Sequence, residues 1–576
     1  MALVLPASAP AAELRFKRVA YFERAAYVSA FHYIPIADAT GDGLLEMAYA
    51  AGRTDSLTTN PPRWEIRRFH PWNRSEIVHS DTVPWPPPHG LNPGLFKPGA
   101  FGDWNGDGRL ELVGYNWFIG DTVARCMVVM LQAPGPGRPP TELAWCYNHG
   151  YAPWSTLHLP GDLDGDGLSD LLVAADSDSV NGFLMLESDG NGGVRPVWTS
   201  WWFANYGLGF GDFNLNGRMN FVGAVHSRVN VFENTGDNQY ELVYVDTLPV
   251  VNGGADVFTG DDVTRNGKPE FFVPFFRGYG GNLFTVWLYM WESAGGNQYT
   301  RVLVDSGNRQ IPYPVGRSIC GDLDGDGIQE IVWNTNQHVG VYNTYKPGSF
   351  IRVANWTNRH HQPMPGNLAV NIADVNYNGY NNLILAGDGK ITILEVEAVR
   401  LLHPTGGDLL NPGDTCRIAW QTFPRPHCDS VSLFLRFDST YRLDTIATGL
   451  APDDSIFHWV VPDTVLDSVW VMVIAYGPGW QHDEHERPLR IGPAGVRETE
   501  AIAWKHWRPP TVLRSGFVVP EGINALLFDA SGRKVMDLQP GENDVRHLSP
   551  GVYFVRTALW ERSPDRDFVR KVVIQR

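Results

Sequence analysis

Cysteine is scarce: five residues in 576, with no Cys-x-x-Cys pair, so the usual zinc-binding thiolate pattern is absent. Basic residues are outnumbered, 46 Lys and Arg against 63 Asp and Glu, so nucleic acid and anionic membrane are poor partners. No run approaches the roughly 18 apolar residues of a membrane-spanning helix. A Gly-x-Ser-x-Gly elbow and a phosphate-binding glycine loop are also missing, although catalytic groups dispersed over several loops would leave no such local signature.

What the chain does have is a recurring acidic loop. GDLDGDGLSDLLV at 161–173 returns as GDLDGDGIQEIVW at 321–333. An EF-hand is excluded because its twelfth position must be Glu, and here it is Val173 or Trp333. The runs after each loop are short and β-rich, and the acid falls at position nine, as Asp170 and Glu330. The pattern Asp-x-[Asp/Asn/Thr]-x-[Asp/Asn]-Gly-x-x-[Asp/Glu/Asn] occurs seven times, starting at Asp38, Asp103, Asp162, Asp212, Asp262, Asp322 and Asp374. Successive starts lie 65, 59, 50, 50, 60 and 52 residues apart. That period holds four short strands with their turns, the content of one propeller blade. The expected fold class is therefore all-β, led by a seven-bladed β-propeller with metal-binding blade loops. The seventh unit is one strand short, and 14–22 (LRFKRVAYF) has the character of a closing strand. It is expected to complete the last blade and leave no free edge.

These loops resemble the FG-GAP/VCBS repeats of integrin-α-like propellers over residues 14–398. The resemblance implies calcium bound through side chains at positions one, three, five and nine and the carbonyl of position seven. Carried over, the third loop supplies Asp162, Asp164, Asp166, Leu168 by its carbonyl, and Asp170. The sixth supplies Asp322, Asp324, Asp326, Ile328 by its carbonyl, and Glu330. The second supplies Asp103, Asn105, Asp107, Arg109 by its carbonyl, and Glu111, and the first Asp38, Asp42 and Glu46. Oxygen-only ligands suit calcium, in several structural copies. Along the chain the loops carry 3, 3, 4, 1, 2, 4 and 1 ligand-position carboxylates, so the fourth and seventh are the weakest sites. There Asn and Gly can hold the turn alone. Gly108, Gly167 and Gly327 are expected in a backbone conformation that other residues resist.

The charge is concentrated in the same region: residues 1–493 hold 33 basic and 53 acidic residues. Residues 1–13 read as a signal-peptide remnant or flexible terminus. Cys126 with Cys146, and Cys416 with Cys428, are candidate bonds of an oxidising compartment, with Cys320 a buried thiol. Residues 399–493 carry an alternating pattern that reads as a β-sandwich similar to the Ig-like modules beside secreted bacterial propellers. In 494–576, "FDASGRKV", "LSPGVYFVR" and "KVVI" follow one another to the C-terminus. They closely resemble the C-terminal sorting domain of type IX secretion cargo, although the Pro-Asn-Pro common upstream is absent. That resemblance implies export by the type IX machinery to the cell surface or the medium.

Other clusters have plainer readings. His482, Asp483, Glu484, His485 and Glu486 are expected in a solvated hairpin loop, and His360-His361 between blades. TSWWFANYGLGFGD at 199–212 is expected to supply an inner strand. Every recognisable motif serves structure or address, so the expected function is a non-catalytic, calcium-stabilised binding or adhesion protein with a glycan or surface-protein ligand. The alternative is a secreted polysaccharide-active, lyase-like enzyme. Arg, Lys, His and Tyr clustered on one propeller face would favour it.

Overall fold

The computed structural model describes residues 14–23, 34–51, 63–82, 95–118, 125–148, 156–176, 181–190, 193–201, 207–249, 253, 256–280, 282–310, 316–335, 338–346, 349–357, 369–387, 390–437, 441–485, 487–492, 512–513, 516–519, 525–557 and 569–575. The expectations for residues 1–13, for His360-His361 and for Glu486 fall outside these. Among the described residues no helix is long and apolar enough to cross a membrane.

Among the described residues, seven four-stranded antiparallel sheets account for most of the strands. Sheets one to six span 36–82, 95–148, 156–200, 208–247, 258–310 and 319–357. Sheet seven joins three strands from 369–396 to Phe16–Glu23, which lies antiparallel against Lys390–Val396 as the sequence led us to expect. Each sheet buries apolar side chains against the next. Trp64 and Ile66 of sheet one pack with Phe96 and Leu112 of sheet two. Sheets two and three, three and four, four and five, five and six, and six and seven share cores in the same way. Ile384 and Ile393 of sheet seven then pack with Met47 and Tyr49 of sheet one, closing the cycle. The first strands approach one another across sheet boundaries, as Phe258–Gly260 does with Leu208–Gly211 and Ile319–Gly321. They therefore line the axis of a β-propeller-like ring.

The chain divides into two compact units. The first holds 1–405, 417–457 and 470–486; the second holds 406–416, 458–469 and 487–576. In the first unit, Ser430–Arg436 pairs with the 470–476 part of a long strand, which also pairs with Trp480–Glu484. Trp72, at a turn of sheet one, stacks on Tyr441 with centroids 4.7 Å apart and meets Trp480 at 4.6 Å. In the second unit, a five-stranded sheet places Ala525–Asp529, Gly551–Thr557 and Val569–Ile574 side by side over a core including Leu527, Val555 and Val572.

Two expectations are corrected. His482, Asp483 and Glu484 lie in a strand, not a solvated loop. The His482 ring packs on Trp72, Asp483 accepts the Leu401 N–H at 2.7 Å, and the buried His485 Nε2 accepts the Val471 N–H. Cys146 and Cys428 are free thiols, so the candidate disulfides that use them are not formed. Of the aromatic stretch 199–212, Leu208–Gly211 does form the first strand of sheet four, while Trp201 is 86% exposed.

Candidate functional site

Each acidic loop joins the first strand of its sheet to the second, and position nine is always the residue that opens the second strand. These residues, Glu46, Glu111, Asp170, Asn220, Glu270, Glu330 and Asn382, are all buried. One oxygen of each accepts the N–H of position two, at 2.8–3.1 Å, in all seven loops. The position-one Asp accepts N–H groups from the tip, as Asp162 does from Gly165, Asp166 and Gly167. Position six is left-handed, with φ of 81° at Gly108, 92° at Gly167 and 81° at Gly327. Half of the ligand set thus shapes the turn by ordinary Asx hydrogen bonds.

The other oxygen of position nine distinguishes the loops. In loop three Asp170 Oδ1 is buried with no hydrogen-bond partner. Asp162, Asp164 and Asp170 bring carboxylate oxygens within 4.8 Å of one another, as do Asp164, Glu187 and Asp237. Burial, then the charges of Asp164 and Glu187, push Asp170 up to about 7. A buried carboxylate oxygen without a donor, among like charges, fits a divalent cation. Asp162, Asp164, Asp166, Leu168 and Asp170 would hold it and calcium would supply the missing positive charge.

Loops one and six carry a guanidinium instead. Arg68 Nε donates to Glu46 Oε1 at 2.6 Å, and its Nη1 lies 3.2 Å from Asp42. Burial nonetheless raises Glu46. In loop six the Arg425 Nη2 makes an ion contact with Asp324 Oδ2, without hydrogen-bond alignment. It also donates to Asp326 at 2.9 Å and Glu330 Oε1 at 3.1 Å. Burial pushes both Asp324 and Glu330 up all the same, and neighbouring carboxylates add to it, Asp326 and Asp322 on Asp324 and Asp324 on Glu330. In loop two, Asp107 pairs with Arg109 and sits below its ordinary value, while burial raises Glu111.

The loop motif did not disclose the third-strand residue facing position nine. The register makes it Arg68 in sheet one, Glu187 in three, Glu233 in four, Glu292 in five and Glu395 in seven. In loop four, burial would raise Glu233, but the amides of Asn214, Asn216 and Asn220 hold it below its usual value. Glu395 takes the amides of Asn376 and Asn378 in loop seven. The signal was present as a polar residue ending an apolar third strand, in LMLE, NVFE, YMWE and TILE.

A second cluster lies on the axis, at the entry ends of the first strands. His158 comes from sheet three, Gly207 precedes sheet four, Asp256 precedes sheet five and Arg317 precedes sheet six. Arg317 Nη1 donates to Asp256 Oδ1, and the Ser318 N–H to Asp256 Oδ2 at 3.0 Å. A Cβ at Gly207 would overlap both side chains. His158 is 7% exposed, 5.7 Å from the Phe210 ring, and its Nε2 has no hydrogen-bond partner. Burial, and then the Arg317 charge, hold its imidazole far below the ordinary histidine value, so it is neutral. No local motif marks this cluster, because its members lie about 50 or more residues apart and meet only when sheets three to six pack side by side.

No protein family matches the chain, and no curated protein does. Among solved structures, an exo-β-1,3-galactanase from Phanerochaete chrysosporium is similar at 10% identity and a TM-score of 0.29, over 82% of this chain and 98% of that one. A fructofuranosidase from Schwanniomyces occidentalis is similar at 7% identity and a TM-score of 0.29, over 70% and 91%. A variant of that enzyme, bound to fructosylnystose, gives 9% and 0.28, over 84% and 92%. The names of these matches are those of enzymes; the expectation of a non-catalytic binding protein has no support among them, and the enzyme alternative is taken up as a proposal.

Proposed function

We propose that the chain is a secreted, polysaccharide-active enzyme built on a seven-bladed FG-GAP/VCBS-type propeller, with calcium in blade loops and its chemistry at the ring axis. The observation that supports it is His158, a buried neutral imidazole whose Nε2 lacks a partner, beside the Arg317–Asp256 pair. A neutral imidazole is ready to accept a proton, and a carbon acid beside a carboxylate, as in a uronate sugar, is the substrate proton such a base can take. On such a uronate, His158 Nε2 would take the proton from the carbon next to the carboxylate. The released electron pair forms a carbon–carbon double bond as the neighbouring glycosidic C–O bond breaks, and the leaving oxygen is protonated by water. Hydrolysis by paired carboxylates is less well supported, because Asp256 already accepts from Arg317 and Ser318.

The test is incubation of the full chain with acidic and neutral polysaccharides. Unsaturated chain ends, seen by ultraviolet absorbance on acidic substrates only, are expected. His158→Gln should slow their release by about 10²–10⁴-fold with circular dichroism unchanged. Reducing ends without unsaturation would replace elimination by hydrolysis, and no product from any substrate would end the enzyme reading.

We further propose that residues 399–493 form an Ig-like spacer and that 494–576 address the chain to the type IX machinery, which would place it outside the cell. In support, "FDASGRKV", "GVYFVR" and "KVVI" lie on neighbouring strands of one sheet.

A further inference from the structure

The sixth loop has four ligand-position carboxylates like the third, with Glu330 in place of Asp170, yet its surroundings differ at the atom that matters. Asp170 Oδ1 in loop three has no partner. The matching Glu330 Oε1 accepts from Asn343 Nδ2 at 2.7 Å and from Arg425 at 3.1 Å. Its Oε2 is taken by the Leu323 N–H at 2.8 Å. Asp322 accepts the N–H groups of Gly325 and Gly327 as Asp162 does those of Gly165 and Gly167, so position one does not distinguish the two loops. Positions three and five do, because Arg425 contacts both Asp324 and Asp326. The side chains of Asp324 and Glu330 are 0% exposed and that of Arg425 13%, so a positive charge is already buried where a cation would sit.

We propose that loop six takes the Arg425 guanidinium, and not calcium, as its resident cation, so that a turn beyond the seventh sheet is the sixth loop's ligand. The chemistry is consistent. A guanidinium carries one charge and five donors and bridges several carboxylates at once. A divalent ion in the same carboxylates would have to expel it, leaving Arg425 unpaired at a largely buried position. Neighbouring contacts hold the turn there: the Trp480 N–H donates to Asn378 O at 2.7 Å, and Tyr380 Oη to His427 O at 3.5 Å. Loop one follows the same logic with Arg68, drawn from its own sheet. The counting of ions below rests on the calcium reading of loop three.

The experiment is equilibrium dialysis of calcium against the full chain, paired with thermal melts in excess chelator. Arg425→Gln is expected to bind one more calcium than wild type, and Asp166→Asn one fewer. Asp326→Asn should leave the wild-type number unchanged. In chelator, Arg425→Gln should melt below wild type, because Asp324 and Glu330 lose their counter-charge. Loss of one calcium in Asp326→Asn, or an Arg425→Gln melt that matches wild type in chelator, would overturn the proposal. If neither protein binds calcium but Arg425→Gln still melts lower in chelator, Arg425 stands as the loop's cation and the calcium reading of loop three falls.

Discussion

At the scale of single residues, composition is a poor guide to setting. The cluster around His482 has the make-up of a solvated loop, yet alternation along Trp480–Glu484 turns His482 onto Trp72, Tyr441 and Trp480. Burial first, then the charges of Lys17 and Arg436, push its imidazole down to about 3. The unfolded chain takes up that proton near the ordinary value of about 6.5. In the window between, the unfolded state binds more protons, so stability rises with pH. The contribution is complete above about 6.5 and is lost as pH falls towards 3. Thermal melts at stepped pH should show a shallower acid limb for His482→Gln than for wild type. Parallel curves would mean that His482 does not carry the effect.

At the scale of the element, the loop-then-strand unit was legible because one short segment contains all its causes. Asp-x-Asp-x-Asp-Gly sets the turn, position nine closes it, and the apolar run that follows is the buried second strand. Position nine of every copy could be named in advance. Its third-strand partner could not, since cross-strand register is not written in the loop; Glu233 and Glu292 became visible only once strands were paired. Arg425 lies 99 residues from Asp326 and reaches it from beyond the last strand of the ring, outside any local pattern. The closing strand was legible by its likeness to an outer strand, and it carries a prediction. Removing residues 1–23 strips the partner from Lys390–Val396 and leaves sheet seven with an unpaired edge. The truncated chain should melt at a lower temperature and scatter more light on standing than the full chain. Equal melts and clear solutions would show that closure by this strand is dispensable.

At the scale of the whole molecule, the acid excess and the proposed address are segregated. The acid excess belongs to residues 1–493, whereas 494–576 hold 13 basic and 10 acidic residues. The five-stranded sheet of the second unit has its own apolar core of Leu527, Leu538, Val555, Val572 and Ile574, so its removal need not disturb the ring. Deleting 494–576 is expected to leave the calcium response and the melt of the ring in place while the protein stays inside its producing cell. Normal export of the truncated chain would withdraw the sorting assignment.

Ring closure through the first strand has a temporal consequence. Phe16–Glu23 leaves the ribosome before every other strand of the ring, yet its partner Lys390–Val396 belongs to the last sheet to be made. Six sheets can pair in sequence as they emerge, but the earliest strand must wait for nearly the whole ring, at the usual cost of a long-range contact. During synthesis the oldest segment of the ring is its last unpaired edge, and whatever escorts the nascent chain would find its binding site there.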